Sequence, residues 1–273
     1  MATDGKSDEI LLQGDSSTGT DFLPELQESD ASPETRAIYD EIRRLKGAPM
    51  VALIWRHLAT LPDVLPGAWS SIAPVLRSGM LQEAAWRLAG NLRLQPLPAL
   101  TAADLKSMQV DADARAVIET VLRAYNRVNP VNMLCVYVLL ARLLRPDGQA
   151  LAPDVVLWEP PPPFGLLPRM YRPGEMPEAM RSRHEALSSP EARGEALTGS
   201  RTIPSLYRHF VPWPPFIEWI ASALRPMIES GRMRQSVASI RAGMAREAEA
   251  LVVHVPPALA LQAHPQEIGR AHV

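Results

Sequence analysis

Ile203-Pro204-Ser205-Leu206-Tyr207-Arg208-His209-Phe210-Val211-Pro212-Trp213-Pro214 has a counterpart 152 positions earlier, Val51-Ala52-Leu53-Ile54-Trp55-Arg56-His57-Leu58-Ala59-Thr60-Leu61-Pro62. In both stretches an aromatic residue precedes Arg-His, an apolar residue follows, and Pro62 falls on Pro214. The register continues without a gap: Ser70 falls on Ser222, Pro74 on Pro226, and Ser78-Gly79 on Ser230-Gly231. One offset held over the length of a helix-turn-helix reads as an internal repeat, and a repeat sets the architecture before any single residue does. The expectation is an all-α protein of two tandem helical repeats forming a pseudo-dimer, joined by a Pro-rich linker.

The rest of the composition agrees with helices. Of 273 residues, 47% are hydrophobic, β-branched residues are sparse, and alanine, leucine and arginine dominate, a mixture that favours helix over strand. The 27 prolines are too many for helix interiors and belong at first turns and in connections. Cys135 is the single cysteine, so an intramolecular disulfide, a CxxC redox pair and a thiolate metal site are excluded.

Charge is uneven along the chain. Residues 1–31 hold eight acidic side chains against Lys6 alone, a net of -7, which leaves +5 for the rest of a chain whose total is -2. That balance is too mild and scattered for nucleic acid. The amino-terminal residues lack the basic start and apolar core of a signal peptide. The longest mostly apolar run, Val131 to Ala141, is about half a membrane span. The expectation is a cytoplasmic protein with no nucleic-acid and no membrane partner.

Taken in order, residues 1–31 read as a disordered acidic tail with a docking strip at Phe22-Leu23-Pro24-Glu25-Leu26. Residues 32–145 form the first repeat. Ser32-Pro33-Glu34 starts a helix, with a capping serine and proline in the first turn. Thr101-Ala102-Ala103-Asp104 has the form of a capping box. Residues 114–128 place Val117, Val121, Leu122 and Tyr125 on one face and are expected to stop at Asn129-Pro130, after which residues 131–144 form a second, buried helix.

The linker is 146–176, stiffened by Pro160 to Pro163. The second repeat spans 177–266 and reads as incomplete: after Pro98 the first repeat runs on to Arg145, whereas only sixteen residues follow the matching Pro257. The last seven residues, 267–273, correspond to the translation of a common sequencing adapter, so the expectation is that about 40 residues of natural chain are missing.

Chemistry is thinly signalled. The chain has no glycine-rich phosphate loop, no HExxH and no GxSxG. Its six histidines are dispersed without metal-ligand spacing, so neither metal nor cofactor is expected. His57 and His209 hold equivalent places in the two repeats, which points first to a shared structural duty. Asn129, an amide before proline, could be aimed into a cleft between helices.

The series Pro33-Glu34, Ala48-Pro49, Ala59-Thr60-Leu61-Pro62, Leu65-Pro66, Tyr125-Asn126 with Asn129-Pro130, and Trp213-Pro214 resembles the group I 2-haloacid dehalogenases, the DehI family, within the AhpD-like all-α superfamily. The resemblance covers residues 33 to about 260. It implies a homodimeric enzyme, when full-length, without metal or cofactor. In that family an aspartate activates water, which displaces halide directly from a short 2-haloalkanoic acid with inversion.

Carried over by position, the resemblance places Asn129 as the residue that positions water or substrate. It also places Ser205, Leu206, Met50 and Leu53 in the substrate pocket. Leu206 stands where the family has its aspartate, and a leucine cannot accept a proton. His209, three residues on and on the same helical face, is the candidate substitute base. The alternative reading is a helical pseudo-dimer that does not dehalogenate but binds a small apolar or carboxylate ligand, with Leu206 completing an apolar pocket.

Overall fold

A computed structural model of the chain describes residues 24–145, 149–152, 158–187 and 204–257. Residues 1–23 of the acidic tail, residues 188–203 and the carboxy-terminal run 267–273 lie outside the described residues, as does the point where the second repeat would end. The described residues are helices and their connections, with no strand among them. None of those helices is long and apolar enough to cross a membrane.

Local chemistry explains where the helices of the first half begin and end. In α1 (Pro33–Lys46) the Ser32 hydroxyl accepts from the Thr35 amide, and Gly47 closes the helix in the left-handed region at φ 57°. The helices α2 (Leu53–Leu58), α3 (Val64–Arg77) and α4 (Met80–Asn91) follow. The Thr101–Asp104 capping box is present at α5 (Ala102–Ser107), each side chain bonding the other residue's backbone amide.

The helix α6 (Ala112–Leu143) departs from the sequence expectation. It runs for 32 residues straight through Pro130, where two helices were expected. An interior proline costs about 3 kcal/mol, but Val128, Val131, Leu134 and Cys135 are all buried around the break. Burying each such side chain contributes about 1.5–3 kcal/mol, so continuity wins. Cys135 is fully buried, as a small apolar residue would be.

The second half contains α7 (Glu178–Leu187), the single turn α8 (Ser205–Arg208), α9 (Pro214–Glu229) and α10 (Arg232–Leu251). The offset of 152 joins like to like: Leu53 and Ser205 begin matching turns, and Arg77 and Glu229 end matching helices. Pro74 and Pro226 sit inside those helices, and Gly79 and Gly231 precede the next ones at φ 79° and 73°. The small hydrogen bonds repeat as well. His57 Nδ1 bonds the Pro24 carbonyl at 2.9 Å and His209 Nδ1 bonds the Pro168 carbonyl at 2.8 Å. The Leu26 amide donates to the Arg56 carbonyl, as the Tyr171 amide does to that of Arg208.

Two apolar cores result, and neither respects the division of the sequence. The first is built by α1 to α4, the end of α6 (Val131, Leu134, Val138) and Met244, Ala248 and Leu251 of α10. The second gathers Ile118, Val121 and Tyr125 from the start of α6 with Met180, Phe210, Phe216 and Ile217. The two halves are therefore interlocked, with α6 passing through both cores.

The connecting segments lie on this body. Residues 24–31, the last of the acidic tail, pack against it, with Leu26 on the first core and Glu25 paired to Arg56 and Arg208. In the proline run, Arg127 donates to the Pro162 carbonyl at 2.8 Å and covers the Phe164 ring at 3.9 Å. Trp158 lies so close to Gly79 that an added Cβ there would fall 2.2 Å from the indole.

Candidate active site at the junction of the two halves

The turn α8 brings three of the expected residues together. Ser205 and Leu206 are half-buried, and Leu206 packs against the second core. His209 follows as the residue closing the turn and is 3% exposed. Met50, from the segment before α2, packs against the same core, while Leu53 is half-buried at the start of α2. Asn129 stands apart. It is exposed in the middle of α6, and among the described residues no hydrogen bond reaches its amide.

His209 is held as a neutral imidazole. A backbone carbonyl only accepts, so the bond to Pro168 places the proton on Nδ1 and leaves Nε2 as a bare lone pair. That atom is buried and, among the described residues, has no hydrogen-bond partner. Burial pushes the imidazole pKa below its usual 6.5, the Pro168 bond opposes this, and the nearby Arg208 and Arg56 charges add to the lowering.

Tyr125 from α6 meets His209 edge to face at 5.6 Å. Its hydroxyl is buried and lacks a well-formed hydrogen bond. Burial raises its pKa far above the phenol range, although Arg56, Arg208 and the Ser205 hydroxyl pull the other way. Tyr125 is therefore a neutral donor at every physiological pH.

Beneath these groups lie charges that spacing alone did not bring forward. Arg56 and Arg208 are 3% and 2% exposed, and both reach the Glu25 carboxylate. Both arginines stand in the quoted repeat beside the histidines, so the signal was the second Arg-His pair itself. A separate polar cluster sits in the first core: Asn132 Oδ1 accepts from Lys46 Nζ at 2.5 Å and from Trp55 Nε1 at 2.9 Å. Its sequence signal was an amide inside an apolar run.

Among the described residues no group of three or more His, Cys, Asp or Glu side chains could hold a metal ion. An open groove of about 610 Å³ lies between the end of α1 and the proline run, lined by Arg43, Arg44, Pro161 and Phe164 among others, and none of the expected site residues lines it. What the junction offers is an apolar wall, a hydroxyl donor, a bare imidazole nitrogen and two buried cations. Such a set suits a small acid with an apolar substituent.

No family model matches the sequence. A 2-haloacid dehalogenase described as configuration-inverting, from Alcaligenes xylosoxydans xylosoxydans, is 33% identical over 136 residues, 49% of this chain and 46% of that protein. The matched stretch is thus about half the length of the curated relative. Solved structures agree over more of the chain. A D-2-haloacid dehalogenase mutant in complex with D-2-CPA matches with a TM-score of 0.65 at 19% identity, covering 92% of this chain and 88% of that one. A D-2-haloacid dehalogenase in complex with L-LA gives 0.69 at 19% identity over 92% and 89%, and a further D-2-haloacid dehalogenase mutant gives 0.70 at 19% over 92% and 88%. The chain has the all-α fold of the D-2-haloacid dehalogenases, and half of it is similar in sequence to a 2-haloacid dehalogenase described as configuration-inverting.

Proposed function

We propose that the chain is a cofactor-independent hydrolase of short 2-haloalkanoic acids, displacing halide by direct attack of water with inversion. The observation that carries this reading is the 33% identity, over half the chain, to a configuration-inverting 2-haloacid dehalogenase. The junction supplies compatible chemistry. Water's oxygen bonds to the carbon bearing the halogen as the carbon–halogen bond breaks, and halide leaves with the electron pair. The proton released from water needs an acceptor, which Leu206 cannot be.

His209 Nε2 is the acceptor this reading assigns, because its lone pair is unoccupied and Pro168 fixes the tautomer. The neighbouring Arg208 and Arg56 disfavour the imidazolium that would form, so turnover is expected to be slow. On this reading Ser205, Met50, Leu53 and Leu206 receive the substrate, while Asn129, to which the resemblance assigns the positioning of water or substrate, lies exposed and apart from them. The same resemblance assigns a homodimer, and the composition of the chain a cytoplasmic location. Sedimentation of the full-length protein reads the first of these.

The second reading, a helical pseudo-dimer that binds a small apolar or carboxylate ligand without dehalogenating it, is favoured by Leu206 itself, which packs against the apolar core. Halide release from each enantiomer of 2-chloropropionate separates the two. The hydrolase reading expects release by the wild type, a loss of a hundredfold or more in His209→Gln, and faster release by Leu206→Asp. No release by the wild type, with release by Leu206→Asp, leaves only the binding reading.

A further inference from the structure

Two guanidiniums from opposite halves converge on one carboxylate. Arg56 Nη2 stands 2.7 Å from Glu25 Oε2, and Arg208 Nη2 stands 3.2 Å from Glu25 Oε1. The two arginines hold matching places in the repeat, but the strips that cover them differ. In the second half Arg208 Nε donates to the Tyr171 carbonyl at 2.7 Å, and that strip presents no acid to the pair. In the first half the covering strip brings Glu25.

The seat is imperfect. Arg56 Nε and Nη2 and Glu25 Oε2 are buried without well-directed hydrogen bonds, although the ion pair is close. Among the described residues His209 Nε2, buried beside them, has no hydrogen-bond partner, and the Tyr125 hydroxyl has only a poorly directed contact with Ser205. Buried polar atoms are almost always satisfied, and here Arg56 Nε and His209 Nε2 are not, among the described residues. Two cations against one carboxylate also leave an excess positive charge in a place with little water, a situation that favours a further anion or a better-fitting one.

The strip that delivers Glu25 is irregular backbone: Pro24 to Leu26 belong to no helix. It is held by the His57 imidazole on the Pro24 carbonyl, by the Leu26 amide on the Arg56 carbonyl, by the Tyr39 hydroxyl on the Leu26 carbonyl and by the Leu26 side chain on the first core. We propose that the Arg56–Arg208 pair is a binding subsite for the carboxylate of a short monocarboxylic acid, filled here by Glu25 as an internal stand-in, so that the acid binds by displacing the Pro24–Leu26 strip. A bidentate carboxylate fits two facing guanidiniums, and the apolar and hydroxyl groups of Tyr125, Ser205 and Leu206 receive the rest of the molecule. The inference rests on the junction being the ligand cleft but requires no halide chemistry. It assigns a self-inhibiting role to the amino-terminal strip.

The test is titration of the full chain with propionate, and with propionamide as the uncharged control, at constant ionic strength. Propionate is expected to bind Glu25→Gln at least tenfold tighter than the wild type, propionamide to gain nothing, and Arg208→Gln added to Glu25→Gln to remove the gain. Equal propionate affinity in wild type and Glu25→Gln, or a gain that survives Arg208→Gln, overturns the proposal. Hydrogen exchange in the unaltered protein gives an independent reading that needs no variant. Saturating propionate is expected to speed exchange at the Leu26 amide, and unchanged exchange there counts against displacement. Halide release without any of these propionate effects sinks this inference and leaves the hydrolase reading standing; propionate effects without halide release do the reverse.

Discussion

Lys46 Nζ lies 2.5 Å from Asn132 Oδ1 in the middle of the first core, so a fully buried ammonium is paired with an amide and not with a carboxylate. The Trp55 ring, 4.4 Å away, adds a cation–π contact. These contacts do not replace lost hydration. Burial lowers the Lys46 pKa from 10.5 to about 8, with the Cys135 thiol acting weakly in the other direction.

A depressed lysine pKa means that the unfolded chain binds the proton more tightly, so stability rises with pH between the folded and unfolded values. For Lys46 that window runs from about 8 to 10.5. Burial of the Cys135 thiol raises its pKa from 9.0 to about 11 and acts oppositely from pH 9 upward. A net rise is therefore expected only between about pH 8 and 9. Lys46→Met should abolish that rise and stabilise the protein at pH 7 by about 1–3 kcal/mol, since each tenfold in proton affinity is worth about 1.4 kcal/mol. Urea midpoints across pH 6–9.5 check both statements.

His209 gives the acid-side counterpart. Its folded pKa lies below the usual 6.5, with burial as the main cause. The unfolded chain therefore takes up the proton first, and stability contributed by the neutral imidazole is lost as pH falls below about 6.5. His209→Gln should show a shallower loss of stability than the wild type between pH 7 and 5. Parallel curves for the two proteins would show that the imidazole is not the titrating group.

The glycines that precede α4 and α10 separate backbone strain from crowding. Both have positive φ, 79° at Gly79 and 73° at Gly231, but an added Cβ strikes Trp158 only at Gly79. Gly231→Ala should cost about 1 kcal/mol, the left-handed penalty alone. Gly79→Ala should cost about 2–4 kcal/mol, because overpacking adds to that penalty. Chemical denaturation of the pair measures the difference directly.

The two asparagines of α6 make a further comparison. Asn132→Ala strips the shared acceptor from Lys46 and Trp55 and should destabilise by about 2–4 kcal/mol. Asn129→Ala touches an exposed amide and should change stability by less than about 0.5 kcal/mol. If Asn129 positions water or substrate, its loss will then appear in halide release alone, at unchanged midpoint.

Much of this was legible in the sequence, and the rest was hidden for identifiable reasons. The constant offset was legible because both stretches carry a left-handed glycine, a proline inside a helix and an Arg-His turn at matching places. The single helix through Pro130 was not legible, because the proline rule is local and the burial that overrules it comes from both cores. Ser205 and Leu206 were placed by resemblance and His209 by its spacing from Leu206; the first two lie in one turn that His209 closes. Glu25 was named only as part of a docking strip, since no periodicity ties a loop acid to an arginine 183 positions away. The choice of Asn129 followed its Asn-Pro context, whereas the buried amide of α6 is three residues on, at Asn132.

Pro130 has no amide hydrogen, so the Asn126 carbonyl loses its partner in α6 at the place where that helix leaves the second core and enters the first. The shaft joining the two cores is thus weakest between Tyr125, which faces the junction, and Val131, which anchors the other side. Tyr125 is packed in the second core and Val131 in the first, so the missing hydrogen bond falls where one helix belongs to both. The proline thus puts the one break in the hydrogen-bond ladder of α6 at the border of the two cores, where packing on both sides holds the helix straight.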